Sequence, residues 1–240
     1  MSTGLKANND GSAAIQVGGT DYIEIGSTGN ITMPGNLTVT GTFTAGGGLV
    51  YDLNRYVAPA TWTKPTGLKV IKVTVVGAGG DGGSAPVPGN GSASGGGSGG
   101  AAVLVIPAPS IPGPVSVTAG PGTNSFGAFC SATAGSAGAG SGATIAVGAA
   151  GGVGTGGSIN IDGNSGGGSY ANPGQVYYFS GGGAPSILGA GGANLYAGGV
   201  VNGVPGSGYG SGGGGSVKSG PGTSTGGTGA PGIVIIEEFY

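Results

Sequence analysis

Val70-Ile-Lys-Val-Thr-Val-Val76 runs straight into Gly77-Ala-Gly79-Gly-Asp-Gly82, and the fold class turns on how that junction is understood. Over residues 68–76 the apolar Leu68, Val70, Val73 and Val75 are divided by Lys69, Lys72 and Thr74, which is strand patterning. The glycine half matches the G-x-G-x-x-G dinucleotide fingerprint, preceding strand included. That fingerprint needs a helix whose N-terminus meets the pyrophosphate. The chain continues instead with Gly83-Ser-Ala-Pro86-Val-Pro88-Gly-Asn-Gly91, which cannot start one. The ribose-binding acid expected about twenty residues further on is also missing, because no Asp or Glu occurs between Asp81 and Asp162. The junction is therefore a strand entering a glycine tract, and the match comes from the abundance of glycine.

The same alternation of strand and glycine runs on down the chain. Ala101–Ile106, Val115–Ala119, Thr144–Val147, Gln175–Phe179 and Gly232–Phe239 read as strands, and no window of ten or more residues has helical periodicity. With 65 glycines in 240 residues, low-complexity disorder is the plain alternative. Disordered chains owe their state to high net charge and few aliphatics, and this chain has neither. The expected class is all-β: a short trimeric β-repeat shaft, then a β-sandwich with long glycine-rich loops.

The glycine tracts have a periodicity of their own. Gly148, Gly151, Gly154, Gly157, Gly163 and Gly166 hold one three-residue phase, and Gly203, Gly206, Gly212 and Gly215 hold another. A three-residue turn is that of a polyproline-II-type helix, where glycine at every third place lets a neighbouring helix approach closely. Polyglycine-II helices are thus an option for these tracts, whereas strict collagen is excluded because the phase resets.

Upstream, residues 12–43 carry apolar i, i+2 pairs at an eight-residue spacing: Ile15/Val17, Ile23/Ile25, Ile31/Met33 and Leu37/Val39, with Phe43 after them. Each pair points to one face of a strand, and Gly18-Gly19, Gly26-Ser27, Pro34-Gly35 and Gly41 punctuate them. Nothing local covers so narrow a stripe, so other copies of the chain are its expected cover. The division read here is 1–48 as an oligomerising shaft, 49–60 as a linker and 61–240 as the glycine-rich domain.

Composition excludes most chemistry. There are six basic and eight acidic residues, and between Gly82 and Ile236 only Asp162 and Lys218 are charged. No basic stripe exists for a phosphate backbone, so nucleic acid is not an expected partner. Histidine is absent and Cys130 is alone, which argues against a metal site, a disulfide framework and the commonest general base. Asp81 and Asp162 could meet in space as a glycosidase pair, but two unrelated surface acids are the expected reading, and Glu237-Glu238 point to opposite faces of a strand. No aliphatic run is long enough to span a bilayer. The polar stretch Met1 to Gly11 is not expected to act as a signal peptide. The expectation is a non-enzyme without cofactor.

From Trp62 onward the order of features resembles the glycine-rich C-terminal domain of bacteriophage tail fibres and tail-tip adhesins. The stations are Trp62-Thr-Lys-Pro65, Val70–Val76 entering Gly77-Ala-Gly-Gly80, Gly99-Gly-Ala-Ala-Val103, Val115-Ser-Val-Thr-Ala-Gly120, Asn124-Ser-Phe126-Gly127 and Ala230-Pro-Gly-Ile-Val-Ile-Ile236. The resemblance covers roughly residues 61–240, and Gly29 to Gly41 resembles the short repeats of trimeric fibre shafts. It implies a homotrimer displayed on the virion after synthesis in the host cytoplasm. Other tail proteins would sit at its N-terminal end, and a bacterial receptor, a glycan or an outer-membrane protein, at the other.

Recognition then falls to loops carried by a scaffold. Tyrosine among Gly, Ser and Asn is the composition binding loops favour. Tyr170, Tyr196 and Tyr209, with Asn172, Asn194 and Asn202 nearby, are the candidate receptor-binding residues; the bland counterpart is that the tyrosines pin the loops together. Tyr177-Tyr178-Phe179 is read as a strand with alternate rings in the core, and Trp62 as a packing anchor. A purely structural tail component and an ice-binding glycine-rich protein are the alternative functions.

Overall fold

The computed structural model describes residues 3–7, 13–17, 20–25, 31–32, 51–86, 89–142, 145–172 and 177–240. It divides into two units, Met1–Gly48 and Leu49–Tyr240. In the first, β1 (Thr3–Ala7), β2 (Ala13–Val17), β3 (Thr20–Ile25) and β4 (Ile31–Thr32) form an antiparallel meander. Its register puts Leu5, Ile15 and Ile23 in one row and Ala13, Ile25 and Ile31 in the next. The eight-residue repeat is therefore the hairpin repeat of consecutive strands, and β1 extends it into the stretch read only as polar. Val17 lies at the end of β2; Met33, Leu37, Val39 and Phe43 fall outside the described residues.

The second unit is all-β. Along the chain come β5 (Tyr51–Tyr56), β6 (Ala60–Trp62), β7 (Val70–Val76), β8 (Gly91–Ala93), β9 (Ala101–Pro107), β10 (Val115–Thr118), β11 (Asn124–Phe126) and β12 (Cys130–Ala132). Then come short strands: β13 (Gly140–Ser141), β14 (Ile145–Ala146), β15 (Gly154–Thr155), β16 (Ile159–Ile161), β17 (Ser169–Tyr170), β18 (Tyr178–Phe179), β19 (Tyr196–Ala197), β20 (Val200–Val201) and β21 (Val217–Lys218). The chain closes on β22 (Ile233–Phe239).

Two five-stranded antiparallel sheets, ordered β16-β9-β7-β22-β5 and β15-β12-β11-β10-β6, enclose the main core. Period-2 alternation sends Ile71, Val73 and Val75 of β7 and Val234 and Ile236 of β22 inward, against Val115, Val117 and Phe126 of the second sheet. Trp62 packs edge-on against Phe126, with ring centroids 5.6 Å apart. Its indole N–H donates to buried Glu238 at 2.6 Å. Segment 49–60 is not a linker. It holds β5, paired residue for residue with β22 from Tyr56↔Val234 to Tyr51↔Phe239, and the start of β6.

The tracts read as glycine-rich loops are a packed array. Segments 77–84, 94–100, 133–139, 148–153, 162–168, 180–184, 189–193, 202–206, 210–216 and 224–230 run back and forth between the sandwich and a second pair of small sheets. Their hydrogen bonds repeat every third residue. The N–H groups of Gly77, Gly80 and Gly83 donate to the carbonyls of Gly100, Gly97 and Ser94. Ser94, Gly97 and Gly100 donate in turn to Ala139, Ser136 and Thr133. Gly95 and Ser98 donate to Gly167 and Asn164, and Gly96 and Gly99 to Gly213 and Gly210. One residue in three addresses each neighbour, which is the three-residue turn of a polyproline-II-type helix.

That symmetry gives a segment room for six neighbours, three reached through N–H groups and three through C=O groups. Segment 94–100 has all six: 77–84, 133–139, 148–153, 162–168, 180–184 and 210–216. Segment 210–216 has six as well, sharing 77–84 and 180–184 with the first. A Cβ on most of these glycines would overlap a neighbour's carbonyl oxygen; at Gly96 that oxygen is Gly80's and at Gly212 it is Gly96's. Glycine costs more backbone entropy to order than any other residue. It is present here because the hydrogen-bonded spacing leaves no volume for a side chain.

Candidate recognition face

Because successive segments alternate in direction, every second connection lies at the end of the array away from the sandwich. There β8, β13, β20 and β21 form one sheet, ordered β13-β8-β21-β20, and β14, β17, β18 and β19 the other, ordered β14-β17-β18-β19. The second sheet has two contrasting faces. Tyr178 and Ala171 turn inward onto Val217 of β21, and Ala146 and Ser169 are buried with them.

The outward positions line up across all four strands. Ile145 pairs with Tyr170, Tyr170 with Phe179, and Phe179 with Tyr196. These four side chains and Tyr177 are between 46% and 67% exposed. The rings of Phe179 and Tyr196 stack with centroids 4.3 Å apart, and Tyr177 stacks on Tyr196 at 5.2 Å. Cross-strand aromatic pairs of this kind contribute about 0.5–1.5 kcal/mol each beyond area burial, which holds the row together in the absence of a cover. The hydroxyls of Tyr170, Tyr177 and Tyr196 have no hydrogen-bond partner among the described residues, so all three are free for an external acceptor. None of the four strands carries a charge.

An exposed apolar row of this size is uncommon on a surface with no partner. It is also flat. Two clefts lie elsewhere, one beside Ser98, Asp162 and Ile187 and one beside Lys64 and Leu68. The row can offer van der Waals area, ring edges and three phenolic hydroxyls to a partner surface.

The candidates from sequence divide accordingly. Tyr170 and Tyr196 are in the row, Asn194 is exposed just before β19, and Asn172 is half-buried after β17. Asn202 serves the array: its Oδ1 accepts the Thr225 N–H at 3.0 Å and ties 202–206 to 224–230. Tyr209 is at the opposite end. It bridges to Leu188 and packs on Val76, Ala101 and Ile233, while Ser186 Oγ donates to its carbonyl. Ile145, Tyr177 and Phe179 are members the sequence reading missed. The signal for Phe179 and Tyr177 was present in the alternation of Tyr177-Tyr178-Phe179, where only Tyr178 is in the core.

Two chemistry-bearing groups elsewhere, Asp81 and Cys130, are occupied structurally. Asp81 Oδ1 accepts the Gly229 N–H at 2.7 Å. Burial pushes the Cys130 thiol up to about 11, so it is protonated and unreactive near neutrality. Among the described residues no three His, Cys, Asp or Glu side chains converge on a point, and no helix is long and apolar enough to cross a membrane. No protein-family model matches this chain, and no curated protein matches it.

Proposed function

We propose that the chain is a bacteriophage tail-fibre or tail-tip protein that binds a host cell-surface receptor with the far end of its glycine array. The observation that carries this reading is the uncharged, stacked row Ile145–Tyr170–Phe179–Tyr196, held at the end of the array remote from the sandwich that β5 enters. The array supplies stiffness, since each interior segment is fixed by hydrogen bonds to its neighbours at three-residue intervals. The aromatic row supplies contact area with little side-chain entropy left to lose. A non-enzymatic adhesin on the virion needs no more than this.

The test is binding of fluorescently labelled full-length protein to a panel of bacterial strains. Saturable binding to a narrow set of strains is expected, and Phe179→Asp with Tyr196→Asp should weaken it at least about 100-fold, the scale of losing a central aromatic hot spot. The uncharged row also makes this binding insensitive to salt. A panel containing the host that shows no binding would instead favour the second reading, a structural tail component whose row is buried against another tail protein.

Self-association through residues 1–48, as a homotrimer, belongs to the same proposal. Ile23→Asp with Ile25→Asp places charges in adjacent rows of the meander, and the double variant should sediment as a monomer. A double variant with the wild-type mass would rule the assembly role out.

A further inference from the structure

The β16-β9-β7-β22-β5 sheet buries one face in the core; on the other, Tyr209 covers the row Ile233, Val76 and Ala101 at one end and the rows beyond it are open. On the open face Leu53, Glu237, Lys72 and Val105 form one cross-strand row. Arg55, Ile235, Thr74, Val103 and Ile159 form the next. Tyr51, Leu53, Val105 and Ile159 are all more than half exposed, a density of apolar side chains unusual for a face meant for water. The charges in its middle cancel each other, because Lys72 Nζ lies 2.7 Å from Glu237 Oε2.

β5 is also an edge strand. Its outer side has no strand partner among the described residues, it runs for six residues, and Arg55 and Asp52 are its only charges. A long edge carrying exposed Tyr51 and Leu53 is a template for another chain unless something covers it. The chain itself says what is near. Only Leu49 and Val50 separate Gly48, the last residue of the N-terminal unit, from Tyr51, a reach of roughly 10 Å.

We infer that this open face and the β5 edge are where copies of the same chain meet. The inference rests on the proposed self-association of residues 1–48. Copies joined there hold their Leu49–Tyr240 units on one assembly, so each open apolar face has a second copy's face available to cover it. That joining works as a high effective concentration, which lets a contact too weak to form between free domains persist in the assembly. The Lys72–Glu237 pair keeps its own partners when water leaves, which reduces but does not remove the desolvation cost of covering it.

Single cysteines introduced into the full chain test this. Cys130 is buried and stays silent toward maleimide at neutral pH, so Leu53→Cys reports the open face and Val147→Cys, 84% exposed at the far end, gives the reference rate. The expected result is an oligomeric mass by sedimentation, with the thiol at 53 labelled at least tenfold more slowly than the thiol at 147. In the Ile23→Asp, Ile25→Asp background the two rates should converge. A wild-type protein that sediments as a monomer overturns the inference together with the self-association. An oligomer whose position 53 labels as fast as 147 overturns the inference alone, and so does slow labelling that persists in the dissociated variant.

Discussion

Gly96→Ala is expected to lower the melting temperature by roughly 10 °C, corresponding to a loss of about 3–5 kcal/mol. Gly96 lies in the middle of 94–100, one of the two segments surrounded on all six sides. Its N–H donates to the Gly213 carbonyl at 2.9 Å and its carbonyl accepts from Ala184 at 3.0 Å. A methyl group there would land on the carbonyl oxygen of Gly80. Gly80 cannot retreat freely, because its own N–H is bonded to Gly97 and its carbonyl to Gly213. The strain therefore spreads through several segments at once. Gly113→Ala is the matched control: nothing lies within 4 Å of that added carbon, and the backbone there is not left-handed. It should be neutral or stabilising by up to about 1 kcal/mol. Calorimetric melts of the two variants that coincide would show that close glycine packing does not hold the domain together.

Glu238→Ala should cost a similar amount, about 3–5 kcal/mol, through a different mechanism. The carboxylate is buried in the sandwich and gathers three donors. Oε1 accepts from Trp62 Nε1 at 2.6 Å and from Asn54 Nδ2 at 3.0 Å, and Oε2 accepts the Tyr240 hydroxyl at 2.7 Å. It thus joins β22 to the edge strand β5 and to β6 of the facing sheet. Truncation leaves the indole N–H of Trp62 buried without an acceptor and opens a cavity beside it. Tyr240→Phe, which removes one of the three bonds, should cost only about 1 kcal/mol. Trp62 is the sole tryptophan, so denaturant unfolding followed by its fluorescence reads both variants directly. An unchanged midpoint for Glu238→Ala would show that the cluster contributes nothing net to stability.

The two effects mark what was legible in the sequence. The strands of the sandwich were, since Val70–Val76 and Ile233–Phe239 alternate over seven residues each and period 2 is a local property. The three-residue glycine phases were visible too: a Cβ on Gly151 would strike the Gly163 carbonyl and one on Gly148 that of Gly166, while Gly163 and Gly166 themselves face Ser98 and Gly95. Glu238 was not legible, because a lone acid in a strand looks the same whether it faces water or an indole 176 residues away. β5 was missed for a related reason. Tyr51-Asp-Leu-Asn-Arg-Tyr56 has weak alternation, and it becomes a strand by pairing with the far end of the chain.

The candidate site was half legible. Tyr170 and Tyr196 could be singled out by their Gly, Ser and Asn surroundings, but so could Tyr209, which has the same company and lies at the other end of the array. Local composition cannot tell the two ends apart, because the chain turns at both.

Taken alone, the amino-acid order establishes that this chain is all-β, rich in glycine, sparse in charge and without histidine. Alternation, three-residue phasing and composition are written in neighbouring residues, and they constrain backbone conformation directly. It takes the folded arrangement to show that the glycine tracts pack six around one, that Glu238 is bonded across the sandwich, and that Tyr170, Phe179 and Tyr196 share a row while Tyr209 does not. Those outcomes depend on which segments become neighbours in space. Hydrogen bonds between identical glycine backbones carry no sequence label, so the pairing is settled only when the whole array closes.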